Sequence, residues 1–138
     1  MSAELVTNSA PAARRPPVIY HIALELAREP GHPFGDRDHA YHLYLPLKPG
    51  GEIDAEGWRR SRAACRVRRL RPNQPEISGR ILHGPGGHWI FDYPPDAAAD
   101  DENGFRLERE HFVPGEYVSI REDDGSLHAF RVISVKAL

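Results

Sequence analysis

Seven arginines within residues 59–71 are the densest group of side chains with evident chemistry, and no acidic residue lies among them. A guanidinium group is a planar, fork-shaped donor for carboxylates and phosphates, so the run predicts a surface for an acidic partner. Three aromatic residues at alternate positions follow it and are expected to share one face of a strand. The predicted partner- or anion-binding residues are Arg59, Arg60, Arg62, Arg66, Arg68, Arg69, Arg71, Trp89, Phe91 and Tyr93.

This set of residues has two further interpretations. Arginines beside aromatic rings are the combination with which many proteins bind single-stranded nucleic acid, by neutralising phosphates and stacking bases. Alternatively, the aromatic rings belong to the core and the arginines pair within the chain. Residues 48–91 carry 9 basic and 4 acidic groups, whereas residues 92–138 carry 5 and 11. The net charge of -2 therefore conceals opposite charges that are able to neutralise each other.

Eight histidines raise the question of a metal site. A catalytic zinc ion typically takes three protein ligands of N or O type, and two pairs of histidines are candidates for such a set. Their spacing matches no strong metal-binding signature. The candidate ligands of a metal-dependent enzyme, the second alternative, are His39, His42, His83 and His88. The sequence assigns no catalytic residue and no cofactor, and it favours a non-enzymatic protein.

Cys65 is the single cysteine, so no disulfide can form within the chain, as is typical of a reducing compartment. Arg66 would lower the pKa of its thiol and favour reactivity, but a lone cysteine between apolar neighbours is more typical of a small buried residue. No run of about 20 apolar residues is present, and the N-terminus lacks the apolar core of a secretory signal. These features predict a cytoplasmic protein without a membrane partner.

Alternating apolar residues predict six to eight short strands and a mainly β fold, closed as a small barrel or curled as an antiparallel sheet. The predicted strands cover 18–27, 41–47, 65–71, 79–83, 88–93, 105–110, 115–121 and 127–135. For 18–27 a helix is the competing interpretation, because Ala, Leu and Glu favour helices. Residues 72–78 and the acidic stretch 94–104 are predicted loops.

One short helix is predicted over 55–64, with Asp54 as its N-cap and Trp58 as its anchor. The strand that follows carries arginines on both faces, which indicates an edge strand protected from pairing by charge. Residues 1–17 show no apolar periodicity and are predicted to form a flexible tail. Residues 18–138 then form a single domain.

Three segments, HIALELAREPGHPFGD, RAACRVRRLRP and FVPGEYVSIREDDGSLHAFRVISV, together resemble a family of small, mainly proteobacterial proteins of unassigned function. The resemblance covers about residues 20–136. It implies a self-standing bacterial domain and transfers no activity and no catalytic residues. The function expected from the sequence is therefore that of a binding or accessory module, which engages an acidic protein or nucleic acid through its arginine-rich surface.

Overall fold

A computed structural model of the chain describes residues 16–97, 102–106 and 110–138, and for 102–106 it describes the backbone alone. Residues 1–15, which make up most of the predicted tail, lie outside the described part. Within that part the fold is mainly β with one short α-helix, as predicted. The strands are β1 Ile19–Leu26, β2 Asp36–Pro46, β3 Arg66–Leu70, β4 Ile77–His83, β5 His88–Asp92, β6 Glu102–Arg106, β7 Tyr117–Arg121 and β8 Leu127–Ala137.

The strands follow one another around an antiparallel sheet in chain order, and β8 pairs with β1 to close a barrel. Among the described residues, β6 and β7 share the registered pair Asn103 with Arg121, and β7 and β8 share five pairs. Strand β6 begins earlier than predicted, so the acidic loop ends before Glu102, and residues 107–109 of the predicted strand lie outside the described part.

The structure confirms the predicted strand in segment 18–27, where β1 lies, and excludes the competing helix. Ile22, Leu24 and Leu26 all point into the core and are almost fully buried. An alternation of period two places them on one face of a strand, whereas a helix would scatter them around its surface. Because β1 pairs with β2 on one side and with β8 on the other, its backbone groups are satisfied in the sheet.

The arginine-rich strand β3 corrects one prediction, because it is not an edge strand. It lies between β2 and β4, with Arg66 registered against Tyr44 on one side and Arg80 on the other. A closed barrel leaves no free edge, so the charges on β3 are not needed to prevent pairing with another chain. Its faces are nevertheless as predicted: Arg66 and Arg68 point outward, whereas Val67 and Arg69 are buried.

The helix α1 covers Ala55–Arg60, and a short 3-10 turn at Arg62–Ala64 completes the predicted helical segment. Asp54 caps α1, since its Oδ1 accepts a hydrogen bond of 3.0 Å from the backbone N–H of Gly57. Trp58 anchors it, because the buried indole donates from Nε1 to the carbonyl oxygen of Ile81 at 2.8 Å. No helix in the described ranges is long and apolar enough to cross a membrane.

Candidate functional site

The barrel divides the arginine run into an inner and an outer group. Arg69 is 2% exposed, and its Nη1 lies 3.4 Å from Oδ2 of Asp123 in the turn between β7 and β8. Nη2 of Arg71 lies 3.2 Å from Oδ1 of the same carboxylate and 3.4 Å from Oε2 of Glu122. Internal pairing with the acidic C-terminal third therefore accounts for these two arginines, which point away from any outside partner.

Glu122 is the centre of a buried polar cluster at this end of the barrel. Its Oε2 accepts a hydrogen bond of 2.6 Å from the hydroxyl of Tyr41 and lies 2.7 Å from Nε2 of His39. Burial acts to raise the pKa of Glu122, but the hydrogen bonds from His39 and Tyr41 and the charge of Arg71 outweigh it, so the pKa is lowered. The cluster thus holds an ionised carboxylate inside the barrel.

A histidine connects this cluster to the loop between β1 and β2. Nε2 of His128 lies 3.5 Å from Oε1 of Glu122, and its Nδ1 lies 2.8 Å from Oε1 of Glu29. Sequence reasoning missed the cluster because Glu122 begins a run of acidic turn residues. The signal was present, since the alternation of Val118 and Ile120 continues to position 122 and places its side chain on the inner face.

The three aromatic residues do not form the expected stacking platform. Trp89, Phe91 and Tyr93 are 2%, 1% and 5% exposed, so their rings belong to the core and are closed to an external base. Tyr93 is brought close to one member of the arginine run, with its ring centre 5.5 Å from the guanidinium carbon of Arg69. That contact also lies inside the barrel, because Arg69 is buried.

Several outer arginines have partners on the surface. Nε and Nη2 of Arg68 donate to the two carboxylate oxygens of Glu76 at 3.0 and 2.9 Å, and its Nη1 donates to the hydroxyl of Tyr44 at 3.2 Å. Arg59 forms an ion pair with Glu56, one turn earlier in α1. The guanidinium of Arg62 lies over the ring of Trp58, 4.7 Å from its centre, and Arg60 is exposed on the same helix.

Arg66 differs from these neighbours, because its exposed guanidinium has no ion-pair partner among the described residues. It lines two adjacent surface grooves. The first has a volume of about 630 Å³ and apolar walls that include Val18, Tyr44 and Leu138. The second has a volume of about 480 Å³ and is lined in part by Arg80. We call these two grooves, with Arg66 between them, the Arg66 surface.

A pair of histidines lies on the outside of β1 and β2. Nε2 of His21 is 2.7 Å from Nδ1 of His42, and the rings are inclined by 19° with their centres 4.9 Å apart. The centre distance is close to the N···N distance plus the two ring radii, so the rings meet edge to edge through one N–H···N bond. Burial, followed by the charge of Arg68, lowers the pKa of both histidines.

The four candidate metal ligands are placed apart. His39 faces the cluster around Glu122, whereas His42 faces outward to His21. His83 stacks on Trp89, with ring centres 4.2 Å apart, and His88 is exposed at the start of β5. No group of three or more His, Cys, Asp or Glu side chains is arranged to hold a metal ion within the described residues.

Cys65 is fully buried beside the 3-10 turn. Burial raises the pKa of its thiol to about 11, although a hydrogen bond with Ser61 acts in the opposite direction. The thiol is therefore protonated at neutral pH, and the expected effect of Arg66 on it does not appear because that side chain points outward.

Comparison of the chain with protein-family models, with curated proteins and with solved structures finds no match.

Proposed function

We propose that the protein is a non-enzymatic binding module that takes an acidic segment of a partner protein on the Arg66 surface. The observation that carries this proposal is the guanidinium of Arg66, which has no ion-pair partner in the described part of the chain and lines two grooves on the outside of the barrel. Five other arginines of the run have carboxylate, hydroxyl or aromatic contacts within the chain, namely Arg59, Arg62, Arg68, Arg69 and Arg71. The charge of Arg66 is not compensated in this way by any described residue and is offered outward.

The local balance of charge supports an anionic ligand. Arg66 is registered directly opposite Arg80 across β3 and β4, a cross-strand pairing of like charges that is unfavourable by itself. Nη2 of Arg80 lies 2.8 Å from Oδ2 of Asp92. Asp92 therefore compensates the charge of Arg80, and a carboxylate from a partner would compensate that of Arg66, which has no ion-pair partner among the described residues.

The walls of the larger groove support a partner that is also apolar. Val18 is exposed, and with Leu138 and the ring of Tyr44 it forms a hydrophobic strip beside the guanidinium. A protein segment that places an acidic residue next to an apolar one satisfies both features. Because β3 is paired on both sides, the segment would bind by its side chains and would not add a strand.

Single-stranded nucleic acid remains the rival partner, but the buried aromatic rings weaken the case for it. Base stacking on proteins uses exposed rings, whereas the two aromatic residues that line the Arg66 surface within the described residues are the half-buried Tyr44 and the buried Tyr93. The location that we propose is the cytoplasm. It is supported by Cys65, which is buried and forms no disulfide, as is typical of proteins in a reducing compartment.

The proposal is tested by fluorescence anisotropy with labelled probes of known composition. A peptide of alternating Glu and Phe should bind the full chain, and its affinity should fall with rising salt. A Lys and Phe peptide of equal length should not bind. The variant Arg66→Glu should lose binding, whereas Arg37→Glu, the same change at an exposed arginine of β2, should retain it.

Two results would overturn the proposal. Equal binding of the acidic peptide by the parent chain and by Arg66→Glu would remove the site. Tighter binding of an oligothymidine probe than of the peptide, with steep loss of affinity in salt, would assign the surface to single-stranded nucleic acid instead.

A further inference from the structure

A second surface, on β1, β7, β8 and the loop after β1, carries the most exposed large apolar side chain among the described residues. Phe34, in the loop between β1 and β2, is 93% exposed. The loop around it is well ordered by its own backbone: Glu29 and His32 exchange two N–H···O bonds of 3.1 and 2.8 Å, and the N–H of Gly35 donates to the carbonyl of His32 at 3.0 Å. Phe34 is thus held outward on a defined support.

Two contacts fix this loop against the barrel. Gly35 has a φ of +73°, and a Cβ at this position would lie 2.4 Å from the carbonyl oxygen of Leu26, so only glycine allows the approach. On the other side, Nδ1 of His128 lies 2.8 Å from Oε1 of Glu29. The exposure of Phe34 is therefore built into the fold.

Phe34 forms one wall of a groove of about 590 Å³. Tyr117 and Ile133, both exposed, form its apolar part. Glu25 and Arg131 line it as well and are registered opposite each other on β1 and β8, yet they form no ion pair with each other or with another described residue. The groove therefore combines apolar walls with unpaired charges of both signs.

We propose that this groove is occupied by Phe34 of a second copy of the chain, in a two-fold symmetric dimer. A two-fold interface requires a surface that is complementary to itself, and here a projecting ring and a groove of sufficient size lie side by side on one face. The same symmetry brings Glu25 of one copy towards Arg131 of the other, which pairs the charges left unpaired in the monomer.

The expected dimer is weak. Two phenylalanine side chains bury about 300–500 Å², so even with the groove walls the contact stays below the roughly 1,200 Å² of stable specific interfaces and belongs to the transient class. Self-association should therefore depend on protein concentration. The groove beside Phe34 and the two grooves of the Arg66 surface have no lining residue in common.

Sedimentation velocity of the full chain over a range of concentrations tests the proposal. The parent chain should shift from monomer to dimer as concentration rises. Phe34→Ser should raise the dimer dissociation constant by more than about tenfold, since two buried rings are lost per dimer. Val18→Ser, which removes an exposed apolar side chain from the Arg66 surface, should leave the dimer unchanged.

Exchanging the charges at positions 25 and 131 distinguishes a specific two-fold contact from non-specific hydrophobic association. Glu25→Arg and Arg131→Glu should each weaken the dimer, and the double variant should restore it, because the two charges meet across the symmetry axis. A parent chain that stays monomeric at every concentration would overturn the proposal. So would a dimer that is unaffected by Phe34→Ser, or a double variant that is weaker than both single variants.

Discussion

The hydroxyl of Tyr41 donates a hydrogen bond of 2.6 Å to Oε2 of Glu122, and both side chains are buried within the barrel. This contact joins β2 to the turn that begins after β7. It supplies one of the donors that keep the carboxylate ionised in a place where an unpaired charge would be strongly unfavourable.

Removing this donor should destabilise the fold. Tyr41→Phe keeps the ring and leaves Glu122 with one hydrogen bond fewer, so we expect the free energy of unfolding in urea to fall by about 1–3 kcal/mol. Tyr44→Phe is the matched control, because its hydroxyl accepts a longer bond of 3.2 Å from Arg68 on the partly exposed outer face. An equal loss in the two variants would contradict the special role of Glu122.

Two arginines of β3 form ion pairs in different surroundings. Asp123 pairs with the buried Arg69, whereas Glu76 pairs with Arg68 on the solvent-exposed outer face. Asp123→Ala leaves the guanidinium of Arg69 in the core without this carboxylate, and we expect a loss of about 3 kcal/mol in the free energy of unfolding. Glu76→Ala breaks a pair that is open to solvent and should cost less than about 1 kcal/mol. Chemical denaturation of both variants measures the difference, and a reversed order would refute it.

The His21–His42 pair predicts a loss of stability in mild acid. The pKa of both histidines is lowered from 6.5 in the folded chain, so below pH 6.5 the unfolded chain binds protons that the folded chain does not. Stability present above pH 6.5 should therefore decline as the pH falls towards the lower, folded pKa values. The lowered pKa of Glu122 adds a further decline below its ordinary value of 4.5.

Thermal unfolding at a series of pH values measures this effect. His21→Gln should flatten the decline just below pH 6.5, whereas His88→Gln, a change at an exposed histidine outside the pair, should leave the curve as it is. Identical curves for the parent chain and His21→Gln would show that the pair does not carry the pH dependence.

The thiol of Cys65 should resist modification in the folded protein. Burial raises its pKa to about 11, so the reactive thiolate is scarce and is also shielded from reagents. At mildly alkaline pH an aromatic disulfide reagent should label no thiol in the native chain and one thiol per chain after denaturation. Rapid labelling of the native chain would contradict this placement.

Local patterns were sufficient to predict a strand in each of the eight places and the direction of the side chains in β1 and β3, but not every boundary, since β2 begins at Asp36 and β4 at Ile77, both within predicted loops. Period-two alternation identified β1 as a strand and divided Arg66 and Arg68 from Arg69 before any partner strand was known. The cap at Asp54 and the anchor at Trp58 were equally local. These features depend on residues within a few positions of one another, which the sequence displays directly.

The tertiary structure decided which residues pack against each face of the strands. The pairing of Arg69 with Asp123, the burial of Trp89 and the carboxylate of Glu122 against Tyr41 all depend on strands that are distant in sequence and meet only when the barrel closes. The strand order also makes the arginine strand an inner strand and not the expected edge, because β3 pairs with β2 on one side and β4 on the other. The charge of Arg66 remains unpaired among the described residues for the same reason: the register places Arg80, rather than an acid, opposite it.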